Sequence, residues 1–232
     1  MAVALTAAAV LLGSCGSSED LGGIKLDTNA DLLIEEAAQV MGDVDSVQFS
    51  LTRTGAPVFI DQVESLSLDA LEGRFSRPGS ADALIDVTVN GSLRTKLGAV
   101  AIGDEVWMSN PVTGVFETLP LGFDLDPSLF FDPENGWRPL ISELTNVSFV
   151  AEEQREGTRY HLRGTATEAN MRRVTAGLVR QSVEIDLWLH PVSALVTDMT
   201  FDTDWLGETS SWELTLRGYG ASFEITDPTG DG

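Results

Sequence analysis

From Ser46 onward apolar residues recur at every second position, and this alternation constrains the fold more than any other feature of the chain. The stretch "SVQFSLTRT" sets Val47, Phe49 and Leu51 against Gln48, Ser50 and Thr52. "LEGRFSRP", "ALIDVTVNG", "LRTKLGAVAIG" and "EVWMSN" follow, each short and bounded by Gly, Pro, Asn or Asp. Successive side chains of a strand point to opposite faces, so the pattern specifies strands with one buried face. Asn90-Gly91 is a hairpin turn signal, and Gly103-Asp104 is a second. The expected product is a meander of antiparallel strands.

The alternation resumes later in "NVSFVAEEQ" and "TRYHLRGTA". "SVEIDLWLHPVSALVTDMTFDTD" reads as two strands around a His190-Pro191 turn, with "DTD" at 202–204 as a strand end. "TSSWELTLRG" and "ASFEITDP" complete the sheet, and "TGDG" at 229–232 is a loose tail.

Helical spacing appears in two places. In "TNADLLIEEAAQVMGDVDS" Leu33, Ala37 and Met41 recur at i, i+4 and i+8, and Gly42 ends the run. Thr28 and Asp31 have capping-box spacing there. In "TEANMRRVTAGL" Met171, Val174 and Leu178 share one side, with Thr167 as the cap.

Both periods fail in "LPLGFDLDPSLFFDPENGWRPLISELTN", which holds Pro120, Pro127, Pro133 and Pro139. Proline at this density excludes a central strand. Two short helices are expected, one opening at Asp126-Pro127 and one running from Asn135 or Pro139 to Leu144. The plainer reading of the large hydrophobics here is ordinary core. The alternative is a flap over an apolar cavity. No linker divides residues 29–228, so the expectation is one α+β domain: a long antiparallel sheet with a few helices on one face.

The chain carries 14 basic and 36 acidic residues, a net charge of −22. It repels phosphates, which argues against a nucleic-acid partner. An anionic membrane surface repels it too, so membrane attachment requires something other than a basic patch.

The N-terminus offers another means. "AVALTAAAVLLG" is apolar and uncharged, too short to span a bilayer and suited to the core of a secretion signal. The basic residues that open such signals are missing, which predicts a start upstream of Met1. Leu12, Gly13 and Ser14 precede the chain's one cysteine, Cys15, as in a bacterial lipobox. Residues 1–14 are then a lipoprotein signal peptide, and Cys15 carries a diacylglycerol. Residues 15–28 form a flexible tether holding the body at the outer face of the plasma membrane. Two acyl chains anchor stably where one does not.

Catalytic chemistry is hard to find. One cysteine excludes an intramolecular disulfide, and His161 and His190 are too few for a structural zinc site. His190 fits a turn role. His161 is expected as an exposed or half-buried strand residue without fitting partners. Asp124 and Asp126 open no calcium loop, because Pro127 interrupts it and Asn135 stands where the bidentate Glu belongs. No nucleophile elbow or glycine-rich phosphate loop is present. The expectation is a protein that is not an enzyme and has no metal or cofactor.

The order of these features resembles the LppX/LprAFG family of mycobacterial-type envelope lipoproteins. The resemblance runs through "LIEEAAQVMGDVDSVQFSL", "AIGDEVWMS", "FDLDPSLFFDPENGWRPLISELTNV", "GTRYHLRGTATEANM" and "VEIDLWLHPVSALVTDMTFDT". It implies a half-barrel sheet with helices filling its concave side, similar to LolA/LolB-type carriers. An apolar cavity lies between them and holds acyl chains of lipids or glycolipids for transfer within the envelope. The implied setting is a monomer, with a membrane lipid transporter as a further partner. Alternation nominates Val87, Val89, Leu97, Val100, Phe123, Leu125, Phe130, Leu140, Leu144 and Leu187 for the lining. The competing expectation is a non-transporting envelope scaffold or interaction lipoprotein with a filled core.

Overall fold

The computed structural model describes residues 24–61, 63–119, 131, 132, 134 and 136–230. Helix α1 spans Ala30–Gly42. Strands β1 (Ser46–Gly55), β2 (Leu66–Ser76), β3 (Ser80–Val89), β4 (Leu93–Ile102), β5 (Glu105–Ser109) and β6 (Phe116–Thr118) follow. Helix α2 (Trp137–Ser142) leads to β7 (Thr145–Gln154) and β8 (Thr158–Ala166). Helix α3 (Glu168–Val174) leads to β9 (Val183–Leu189), β10 (Val196–Trp205) and β11 (Glu208–Arg217).

All eleven strands belong to one open sheet in the order β6-β5-β4-β3-β2-β1-β11-β10-β9-β8-β7. Every neighbouring pair is antiparallel. Two meanders therefore meet where the first and last strands pair, Phe49 opposite Leu216 and Leu51 opposite Leu214. The outer edges β6 and β7 are consecutive in sequence, and their connection contains α2. The antiparallel α+β sheet read from the alternation is the observed fold, and its open, curled form is the half-barrel that the family resemblance implies.

The buried face is the face with the alternating hydrophobics: Val47 and Phe49 on β1, Ala81, Ala83, Ile85 and Val87 on β3, Ile185, Leu187 and Leu189 on β9. Helix α1 covers one end of this face with Leu33, Ile34, Ala37, Ala38 and Met41. Under it Val47, Ala81, Leu189, Val196 and Leu216 are all completely buried.

Antiparallel order sorts the turns by end. The segments joining β1 to β2, β3 to β4, β5 to β6, β8 to β9 and β10 to β11 lie at one end, here the open end. The remaining hairpin turns and α1 lie at the other. The described chain also begins at that closed end, where the Leu26 N–H donates to the Pro191 carbonyl at 2.8 Å.

Local details depart from the sequence reading. The α1 cap is Asn29, whose Oδ1 accepts from the Leu32 N–H at 3.1 Å; Thr28 lies outside the helix. Thr167 caps α3 as expected, but the helix stops at Val174, and Ala176 and Gly177 at positive φ turn the chain away. Helix α2 opens at Trp137 with Pro139 inside its first turn, where no intrahelical donor is lost. The helix expected at Asp126-Pro127 lies outside the described residues. The expected strand "ASFEITDP" does not form. Gly218 and Gly220 at positive φ redirect the backbone, and the Ser46 hydroxyl donates to the Ala221 carbonyl at 2.6 Å. Among the described residues no helix is long and apolar enough to cross a membrane.

Candidate functional site

Helix α1 fills only the closed end of the concave face. Toward the open end the sheet carries Phe49 and Leu51 on β1, Leu68 and Leu71 on β2, Ala83 and Ile85 on β3, and Ala99 on β4. Met199 and Phe201 on β10 and Trp212 and Leu214 on β11 complete that wall. Opposite stand Phe131, Trp137 and Leu140, then Met171, Val174 and the segment from Thr175 to Val179 after α3. Between them lies a cavity of about 110 Å³.

Among the described lining residues Thr175 is the one without an apolar side chain. One water needs roughly 10–15 Å³ of such space and two to four polar partners. The cavity has the room but not the partners, so its walls favour an apolar occupant. Leu51, Ile60, Leu71, Leu178 and Phe201 line it while remaining partly exposed, which places its mouth between the β1–β2 connection and the α3–β9 segment.

An aromatic group closes the inner side. Phe131 stacks on Phe75 with centroids 4.4 Å apart and tilts against Phe49 at 5.6 Å and Trp137 at 6.4 Å. Beside the wall, Asn170 Nδ2 and Arg173 Nε are buried without a hydrogen-bond partner. Both flank the lining residues Met171 and Val174 on α3.

The nominated residues distribute as follows. Leu140 is on the cavity wall. Val87, Leu97, Leu144 and Leu187 are in the packed core around it, and Val89 is half-buried at the end of β3. Val100 points to the other face of the sheet, opposite Trp107 and Asp82 in the register. Leu97, Ala99 and Val100 cannot all face inward on a regular strand, and Leu97 and Ala99 hold the inner side. Phe123, Leu125, Phe130 and Cys15 lie outside the described residues.

The outer face carries a polar cluster that the alternation does not reveal. His161 is buried, with Nδ1 2.8 Å from Glu153 Oε1 and Nε2 2.6 Å from Asp186 Oδ1. Each ring nitrogen thus lies within hydrogen-bond reach of one carboxylate. The ring stacks on Trp188 at 4.6 Å, whose indole N–H donates to Glu153 at 2.8 Å, while Arg155 lies 3.7 Å over the Trp188 ring. This corrects the expectation of a histidine without partners: Glu153 and Asp186 come from β7 and β9, the two neighbours of β8. The Trp188 and His161 hydrogen bonds hold the Glu153 carboxyl below its usual range against burial. Burial pushes Asp186 up, but hydrogen bonds from Arg163 and His161 outweigh it and leave that carboxyl below its usual range. The cluster faces away from the cavity, so it braces the sheet and touches no occupant. His190 has the turn role expected, with its Nδ1 accepting from the Ser193 N–H at 3.3 Å. Among the described residues no group of three or more His, Cys, Asp or Glu could hold a metal ion.

The family model of the LppX/LprAFG lipoproteins matches residues 29–225. The chain belongs to this family. No curated protein matches it in sequence. Among solved structures, LprF from Mycobacterium bovis superposes with a TM-score of 0.69 at 16% identity, covering 89% of this chain and 100% of that one. Lipoprotein LppX from Mycobacterium tuberculosis gives 0.60 at 14% identity, with 87% and 100% covered. At these identities the likeness establishes the shared half-barrel, and the LppX/LprAFG assignment rests on the family match.

Proposed function

We propose that this LppX/LprAFG protein takes an acyl chain of a lipid or glycolipid into its cavity and carries it within the cell envelope. The observation that carries the proposal is the cavity itself: a space with apolar walls, open at one end, on a fold shared with lipoproteins. Each methylene that enters leaves water with a gain of about 0.8 kcal/mol. Pockets for drug-sized ligands start at roughly 300 Å³, so about 110 Å³ suits part of one chain rather than several.

Cys15, with its diacylglycerol, anchors the body to the outer face of the plasma membrane in this reading, and a membrane lipid transporter supplies or receives the cargo. The body acts as a monomeric carrier and catalyses no reaction. The modest volume favours a second reading, an envelope scaffold with a filled core. Titration with a fluorescent long-chain fatty acid separates them. The carrier binds the probe saturably, and unlabelled fatty acid displaces it. The scaffold leaves its emission unchanged.

A further inference from the structure

Ten large hydrophobic residues are conspicuously exposed among the described residues, and six of them sit in the turns at the open end or on the strand residues that border them. They are Val63 in the β1–β2 connection, Leu93 at the start of β4, Val112 and Val115 between β5 and β6, and Trp205 and Leu206 at the β10–β11 hairpin. The hairpin turns at the closed end contribute none. Chance exposure scatters singly over a surface; here six of the ten gather at the end where the cavity opens, against Ile24 and Leu32 at the closed end.

The β10–β11 hairpin departs from its own turn chemistry. Trp205 pairs with Glu208, leaving a two-residue loop with Leu206 at φ 53 and Gly207 at φ 85. Positive φ at both central residues favours Asn-Gly or Asp-Gly. Leucine there is strained by its Cβ and is also 89% exposed. A residue that suits neither the turn nor water points to a third requirement at that position.

We infer that the open-end turns dock on a lipid surface, with Trp205 and Leu206 inserting and Val63 beside them. The apolar points stand on four separate connections, which suits insertion between head groups better than a continuous protein interface. Tryptophan suits the boundary between head groups and acyl chains. Asp61, Glu64, Asp204 and Glu208 share these connections with Arg94, and Arg180 stands on the α3–β9 segment at the same end, so the docking surface is zwitterionic or neutral rather than anionic. The described chain begins at the closed end, where Lys25 pairs with Glu152 at 2.7 Å. The docking brings the cavity mouth to a lipid phase, so its rationale rests on the carrier reading.

The test is flotation with phosphatidylcholine vesicles of the chain from residue 15 onward, freed of the apolar signal segment and carrying Cys15→Ser. The parent floats, and Trp205→Ser with Leu206→Asn lowers the bound fraction at least fivefold. Leu206→Asn alone raises the melting temperature, because it supplies the favoured turn residue, so lost flotation is not lost folding. Bound fraction falls when phosphatidylglycerol replaces phosphatidylcholine. Equal flotation of variant and parent overturns the proposal, as does a preference for phosphatidylglycerol. No flotation of the parent also overturns it and leaves a protein partner for the tips. Co-purified lipid is unchanged in the double variant, which separates failure of docking from failure of the carrier reading.

Discussion

Phe131 lies flat against Phe75, with centroids 4.4 Å apart and ring planes 16° from parallel. This stack ties the connection between the two edge strands to β2, on the opposite half of the sheet from β7. Phe131 also lines the inner side of the cavity. Phe131→Ala removes a buried ring and extends the cavity inward. The expected loss of stability is about 3–5 kcal/mol. Chemical denaturation measures it, and saturating fatty acid recovers part of it because the ligand fills the enlarged space.

Ala83 and Ala99 keep the cavity open, since both are buried lining residues with the smallest side chains on the wall. Ala99→Phe occupies the space directly. Fatty-acid affinity falls at least tenfold. Overpacking costs about 1–3 kcal/mol where a side chain does not fit, whereas an existing void accepts the ring with a smaller change in melting temperature. Probe titration and thermal melting together check the pair of outcomes.

The Glu153–His161–Asp186 bridge gives the fold an acid limit. Both carboxyls titrate below their ordinary values of 4.5 for Glu and 3.8 for Asp. A carboxyl with a depressed folded value contributes stability above the unfolded value and loses it as pH falls through the folded one. The contribution is therefore complete above about pH 4.5 and disappears below it. Asp186→Asn weakens the parent by about 1–2 kcal/mol at pH 7, since charged hydrogen bonds are the stronger ones. Denaturation at pH 3 shows a smaller difference.

Asn170 is 4% exposed, and its Nδ2 lacks a partner. An unsatisfied buried donor is costly. Asn170→Leu stabilises the lipid-free protein by about 1 kcal/mol. Chemical denaturation of parent and variant without ligand measures the gain.

The legible parts of the sequence were those in which side-chain period and turn chemistry agree. Val47, Phe49 and Leu51 announce β1, and Asn90-Gly91 announces the β3–β4 turn. The start of β2 was hidden by a bulge between Leu68 and Ala70, which breaks the two-residue period between Leu68 and Leu71. The His161 partners were hidden for a different reason. Glu153 and Asp186 are 8 and 25 residues away and meet the ring only through strand register. The cavity lining needed knowledge of which half of the sheet α1 covers. Leu140 was nominated for it, while Leu187, with the same inward face on β9, sits in solid core. Nothing in the period of "LTRTGAPVFI" or "TAGLV" shows that Ile60 and Leu178 border one opening.

Carriage within the envelope requires exchangeable lipid in the apolar cavity. Mass spectrometry of organic extracts from the full chain carrying Cys15→Ser, so that no covalent lipid contributes, tests it most directly. The expected result is a lipid with a long acyl chain at close to one per protein, and its loss from the Ala99→Phe variant. Extracts of the folded protein without such a lipid, or equal amounts from both proteins, would contradict it.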